Sequence, residues 1–215
     1  MFKQVALGWL FVTKEPLIVW SSHLFKTTME AYHDMAALIA GSPWLAKRVE
    51  SMPKGNSNVA IILKSGQRLM FEARTGTGGR GMSAPKLILD EAFALEPGHM
   101  GTLMPLMSKF GGQAQILYGS SAGLPYSAVL RGLRDRGRAG TDPGLCYAEW
   151  TDDLPGDCEL GERCTHAFGV EGCRLDDERR WQHANPQAGR RITWDYIRKE
   201  RRALPPAEFA RERLG

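Results

Sequence analysis

One stretch, Leu87-Ile88-Leu89-Asp90-Glu91-Ala92, constrains this chain more than any other. Lys86–Leu89 is a short apolar run of the kind buried on both faces of a parallel sheet. Two carboxylates follow it at once. Adjacent acids at the mouth of a buried strand are costly unless a cation or a positioned water occupies them. The pattern is that of a Walker B element. In such an element the first acid, here Asp90, holds Mg²⁺, usually through water, and the second, Glu91, orients and deprotonates the water that attacks a γ-phosphate. The same six residues also fit a strand that simply ends in a solvated acidic turn.

A length of 215 residues allows one α/β domain plus a smaller appendage, and 43% hydrophobic residues can fill a sizeable core. The net charge of +4 is too small to demand a polyanionic partner, although the arginines cluster locally. Residues 5–12 are apolar behind Lys3, but the run is short and lacks an Ala-x-Ala-like cleavage site. Lys14 and Glu15 follow it directly, which argues against a signal peptide. No stretch is long enough to span a bilayer, so no membrane partner is expected. Three of the four cysteines crowd into one segment, as reduced thiols or metal ligands do more readily than a disulfide scaffold.

Phe2, Val5, Ala6, Trp9 and Leu10 recur at helical spacing, and Glu15-Pro16 closes that helix. Residues 17–20 read as a buried strand. Ser21 or Ser22 is the expected cap of the next helix, with an apolar face of Phe25, Met29, Tyr32, Met35, Ala36 and Ile39. Gly41-Ser42-Pro43 ends it, and residues 51–58 are loop-like. Residues 59–63 and 68–71 read as strands around a Lys64-Ser65-Gly66-Gln67 turn.

The glycine-dense stretch 75–84 is expected to be a flexible loop. It is no phosphate-cradling P-loop, since Gly-x-x-x-x-Gly-Lys-Ser/Thr occurs nowhere in the sequence. It does carry Arg80 a few residues before the acid-bearing strand, where a guanidinium could reach a phosphate in its own subunit or a neighbour's. Beyond the acids, residues 100–110 predict a core helix kinked at Pro105. Gly111-Gly112 breaks the chain, and residues 113–118 predict a strand ending in Gly119-Ser120-Ser121-Ala122-Gly123. Small hydroxyl residues there suit γ-phosphate sensing, and equally an ordinary serine turn. A helix through Leu130 follows, then the basic run Arg131, Arg134, Arg136 and Arg138, which makes either a solvated face or a contact to DNA phosphates. Residues 145–150 predict a last strand.

The tail holds a separate constellation, Cys158, Cys164, His166 and Cys173, spaced Cys-x₅-Cys-x-His-x₆-Cys. Three thiolates and an imidazole can close a tetrahedral Zn²⁺ site, and a segment so poor in apolar residues would gain folding energy from the metal. The spacing is not a standard zinc-finger one, and reduced cysteines with a surface histidine are the plain alternative. Trp181, Ile192, Trp194, Tyr196 and Ile197 supply a modest core. Thr193 is placed to cap a helix bearing Arg198, Lys199, Arg201 and Arg202, a face that is solvated or turned to a neighbouring subunit or duplex.

Together these elements resemble the ATPase half of the large terminase subunit of tailed phages, particularly those of actinobacteria. The residues that carry the resemblance are Ser22-His23-Leu24-Phe25-Lys26-Thr27, Arg80-Gly81, Leu87–Ala92, Tyr118-Gly119-Ser120-Ser121-Ala122-Gly123-Leu124-Pro125 and the ending 204–214, in that order along nearly the whole chain. The resemblance implies an α/β fold of the P-loop NTPase (RecA/ASCE-like) class, a parallel sheet flanked by helices, with a small, mainly helical C-terminal subdomain. Residues 1–150 would be a partial ATPase domain without the Walker A loop. Residues 151–215 would be the linker subdomain with the possible zinc knuckle. It implies ATP and Mg²⁺ as cofactors, Asp90 on the metal, Glu91 as base, and Ser120 and Ser121 coupling hydrolysis to movement. Arg80 would act across a subunit interface. The implied partners are double-stranded DNA, other large subunits in a ring, the portal protein and the small terminase subunit, all in the host cytoplasm.

The chain departs from that pattern in two ways. The family's P-loop should precede the first helix and its nuclease should follow the linker, so the sequence looks like an internal fragment or a split-gene product, inactive alone. A helicase-type translocase shares the core and the acid pair, and a non-catalytic scaffold for DNA or motor subunits is a third class.

Overall fold

In the computed structural model of the chain, the described residues are 1–55, 58–74 and 82–215. Two compact units divide them: Met1–Ser120 with Leu124–Gly132, and Ser121–Gly123 with Leu133–Gly215.

The first unit starts with helix α1 (Phe2–Leu7), continued by a π-helical turn over Gly8–Val12. Strand β1 (Leu17–Ser22) and helix α2 (Phe25–Ala40) follow, then the short helix α3 (Pro43–Ala46). Next come strands β2 (Val49–Ser51), β3 (Lys54–Gly55), β4 (Asn58–Leu63), β5 (Arg68–Ala73) and β6 (Lys86–Leu89). Helix α4 (Pro97–Leu103), a 3-10 stretch over Met104–Gln113 and strand β7 (Gln115–Tyr118) complete the sheet. The strand order is β2-β4-β5-β1-β6-β7, with β3 paired to β4. β5, β1, β6 and β7 run parallel, while β4 is antiparallel to β5, β2 and β3.

Alternation along the central strands explains why helices cover both faces. Ile18 and Trp20 of β1 and Ile88 of β6 pack with Ala6, Leu10, Tyr32, Met35 and Ile39 on one face. Leu17, Val19, Leu87 and Leu89 pack with Leu95, Leu103 and Leu106 on the other. β6 is therefore apolar on both sides, as a parallel core strand must be. Its first residue, Lys86, is buried without penalty because its Nζ donates to Gln113 O and Gln115 Oε1, each at 2.8 Å.

Several sequence expectations are corrected here. Ser21 and Ser22 do not cap α2. They extend β1, opposite Glu72 and Ala73 of β5, and the α2 cap residue is Leu24, with no side-chain cap. The buried α2 face is Thr28, Ala31, Tyr32, Met35 and Ile39, whereas Phe25 is half exposed. Thr28 fills the packing position a turn later, with its hydroxyl on Glu72 O at 3.3 Å. The stretch expected to be a loop around residue 51 forms β2 and β3, edge strands too short and polar to show period-two alternation. The expected kink at Pro105 is a change from α to 3-10 geometry beginning at Met104.

In the second unit, residues 145–150 form no strand. They meet no partner edge, and are held by side chains instead: the Tyr147 ring lies against Gly137, and Glu149 takes both guanidinium donors of Arg138 at 2.8 Å. The basic run lies inside helix α5 (Ala128–Ala139), and its arginines are engaged locally, with Arg134 on Asp135 and Arg136 on Asp142. Helices α6 (Glu178–Ala184), α7 (Trp194–Ala203) and α8 (Pro206–Arg213) bring Trp181, Ile197 and Phe209 together with Leu175 and three cysteines. Thr193 caps α7 as expected, its oxygen accepting from Tyr196 N–H. Tyr196 is more than half exposed and leaves the core, while Arg201 enters it. No helix among the described residues is long and apolar enough to cross a membrane.

Candidate active site

Register delivers the carboxyl ends of four parallel strands to one edge of the first unit. Ser21 lies opposite Leu89, Ser22 opposite Ala73, and Leu89 opposite Tyr118. The hydrogen-bond ladder continues one rung further: Asp90 N–H donates to Ser21 O (2.9 Å), Arg74 N–H to Ser22 O (2.9 Å) and Gly119 N–H to Leu89 O (3.0 Å). Ligands of open α/β sheets bind at this edge.

Glu91 turns the chain away from the strand in the left-handed region, at φ 52° and ψ 51°. For a residue with a Cβ that conformation costs about 1–2 kcal/mol. Four hydrogen bonds hold the turn. Arg74, at the end of β5, donates from Nη2 to both Asp90 O and Glu91 O, the latter at 3.3 Å. Asp90 Oδ1 accepts from Glu91 N–H at 3.0 Å, and Ala92 N–H donates to Gly119 O at 2.9 Å. The Thr27 hydroxyl, in the first turn of α2, donates to Glu91 Oε1 at 3.5 Å.

Polar atoms at this turn remain over. Glu91 Oε2, Ser22 Oγ and Arg74 Nε and Nη1 are buried without a hydrogen-bond partner among the described residues. An unsatisfied buried polar group costs about 1–3 kcal/mol. Burial pulls the Arg74 pKa below its ordinary value, and the charges of Glu91 and Asp90 push back. A buried carboxylate oxygen, a hydroxyl and a half-engaged guanidinium form a donor set that fits a hydrated cation and an anionic group.

The other expected site residues fall as follows. Ser120 Oγ accepts from Phe93 N–H at 2.8 Å, in the 3-10 turn directly after Glu91. The Ser127 hydroxyl grips the same residue from the other side, donating to Phe93 O at 2.6 Å. Ser121 is exposed and groups with the second unit. Arg80 lies outside the described residues. Arg74, Thr27 and Ser22 were not foreseen as site residues. The available signal was positional: Ser22 ends β1, the neighbour of the acid-bearing strand, Thr27 lies in the first turn of the helix that follows β1, and Arg74 follows β5 on the far side of β1.

In the second unit, Cys158, Cys164, His166 and Cys173 converge, with their four ligand atoms all within 4.8 Å of one another. His166 Nδ1 lies 3.5 Å from Cys158 Sγ and 3.6 Å from Cys173 Sγ. The His166 N–H lowers the Cys164 pKa, while burial raises that of Cys173 to about 11.

The fold and the edge define an α/β protein with a mixed sheet and an acid pair at the carboxyl end of a central parallel strand. No protein-family model matches the sequence, and no curated protein does. Among solved structures the chain is similar to the HK97 bacteriophage large terminase, with a TM-score of 0.75 at 15% identity. The match covers 99% of this chain and 42% of that protein, so the chain spans under half of its length. The two share a fold.

Proposed function

We propose that the chain forms the acid-bearing part of the ATPase of a phage large terminase, a motor that couples ATP hydrolysis to the movement of double-stranded DNA into a procapsid. The observation that carries this is Glu91, held left-handed beside Asp90 with one carboxylate oxygen buried and unpartnered, in a sheet that shares its fold with such a terminase. On this reading the sheet is of the P-loop NTPase class. The ring of large subunits, the portal and the small terminase subunit would be its partners, in the host cytoplasm.

Bound Mg²⁺–ATP would supply the phosphoryl group and neutralise charge at it. Asp90 would hold the cation through water. Glu91, with its backbone pinned by Arg74 and its Oε1 engaged by Thr27, presents Oε2 to accept the proton of the attacking water. Arg74 is a positioning residue whose Nε and Nη1 are buried without a partner among the described residues. Ser120 ties the end of β7 to the residue pair following Glu91, so movement at that strand end reaches the base. Arg80 would supply a guanidinium across an interface, and Ser121 would act with Ser120 in coupling.

The phosphate-cradling motif is absent from these 215 residues. The isolated chain should therefore show no DNA-stimulated ATP hydrolysis above buffer, because most phosphate binding in such sites comes from that loop. Steady turnover that Glu91→Gln abolishes would contradict this division of the site.

A further inference from the structure

We propose that Cys158, Cys164, His166 and Cys173 bind one Zn²⁺ in a closed structural site that organises the second unit, independently of any role of the acid pair. Zn–S bonds of about 2.3 Å and Zn–N bonds of about 2.0–2.1 Å in a tetrahedron put nitrogen and sulfur about 3.6 Å apart. The observed separations from His166 Nδ1 are 3.5 and 3.6 Å, so two edges of the tetrahedron are already at length. All three cysteines are buried and none is in a disulfide.

The surroundings are built for ligation rather than for packing. Arg174 N–H donates to Cys158 Sγ at 3.3 Å. That sulfur thus has a backbone donor, the outer-shell support that orients a thiolate and offsets its charge. His166 sits at φ 54°, a left-handed conformation that places its Nδ1 toward the sulfurs. Its carbonyl accepts from Arg201 Nη2 at 2.8 Å, and Arg201 Nε lies 2.8 Å from Asp176 Oδ1, an ion pair at an angle too poor for a hydrogen bond. A buried cation on α7 therefore holds both ends of the loop that runs from His166 to Asp176.

The loop is further tied by Arg174 on Asp152 and by Trp181 Nε1 on Leu175 O, each at 2.8 Å, but by no long regular element. Residues 158–176 contain two 3-10 turns and no longer helix or strand, and Leu160 and Phe168 are only about half buried. A metal supplies the missing cohesion, and four protein ligands leave no open position for catalysis.

The purified chain should carry about one equivalent of zinc by elemental analysis, and Cys164→Ser or His166→Ala should lower it well below half. Co²⁺ exchanged into the wild-type chain should give the absorption bands of a tetrahedral thiolate site, a readout that needs no variant to fold. Chelation should open residues 151–176 to protease while the sheet stays protected. Protein that is free of metal yet equally protected, or cobalt spectra without thiolate bands, would overturn the assignment.

Discussion

Arg74 of the first unit and Arg180, one of two buried arginines of the second, are used in opposite ways. Arg180 in the second unit has both terminal nitrogens engaged. Its Nη1 donates to both Asp152 oxygens (2.8 and 3.0 Å) and to Leu154 O (2.9 Å), and its Nη2 to Pro155 O (2.9 Å) and Gly156 O (2.6 Å). Arg74 in the first unit spends one nitrogen on two carbonyls and leaves Nε and Nη1 without partners among the described residues. Buried polar groups are satisfied almost everywhere in folded proteins, so two open donors on one buried guanidinium call for a physical account. On the proposed function, the contrast separates a cation that holds structure from one that holds a site.

The largest effect expected is at Arg180. Arg180→Ala leaves Asp152, whose side chain is 3% exposed, with only the partly exposed Arg174 as cation. Breaking a buried pair in this way costs about 3–5 kcal/mol. Hydrogen exchange in α6 to α8 would read it. Arg74→Ala should cost under about 1 kcal/mol, because the two hydrogen bonds lost are offset by removing an incompletely paired buried cation. Equal losses at the two positions would break the contrast.

Acid titration sharpens the same comparison. Burial works against the Asp152 carboxylate, but hydrogen bonds from Arg174 and Arg180 outweigh it and hold its pKa below the ordinary value. A lowered native pKa gives stability that is complete above the unfolded value of about 3.9 and is lost as pH falls through the native one. The second unit should thus loosen only below about pH 4, and at higher pH in Arg180→Ala.

A smaller effect of opposite sign belongs to the acid pair. Glu91→Gly removes a left-handed penalty of about 1–2 kcal/mol and adds about 0.5–1 kcal/mol of chain entropy cost. The net gain, on the order of 1 kcal/mol, should raise Tm by about 2–4 °C. A fall in Tm would mean that Glu91 is retained for stability.

How much of this was legible in the sequence follows from the range of each interaction. β6 was readable because burial on both faces leaves only apolar residues between Lys86 and the acids. The Thr193 cap was readable because capping is local, three residues from donor to acceptor. The edge strands β2 and β3 were not, since their pairing with β4 is tertiary and their residues are polar. Residues 145–150 read as a strand, but a strand needs a partner edge, and that is a tertiary property the local sequence does not carry. At the site, Asp90 and Glu91 announced themselves by adjacency. Arg74 and Thr27 did not, because only the parallel register brings residues 16 and 64 positions away onto the same turn.

The central claim is that Glu91 is the base of a nucleotide-hydrolysing site of which this chain holds one side. The direct test measures ATP binding and ATP turnover together, for wild type and Glu91→Gln, in a protein engineered to join this chain to a phosphate-binding loop, as the proposed function requires. Binding should stay within about two-fold while turnover falls by about 10²-fold or more, as expected when a general base is removed. Turnover that survives the substitution would contradict the claim.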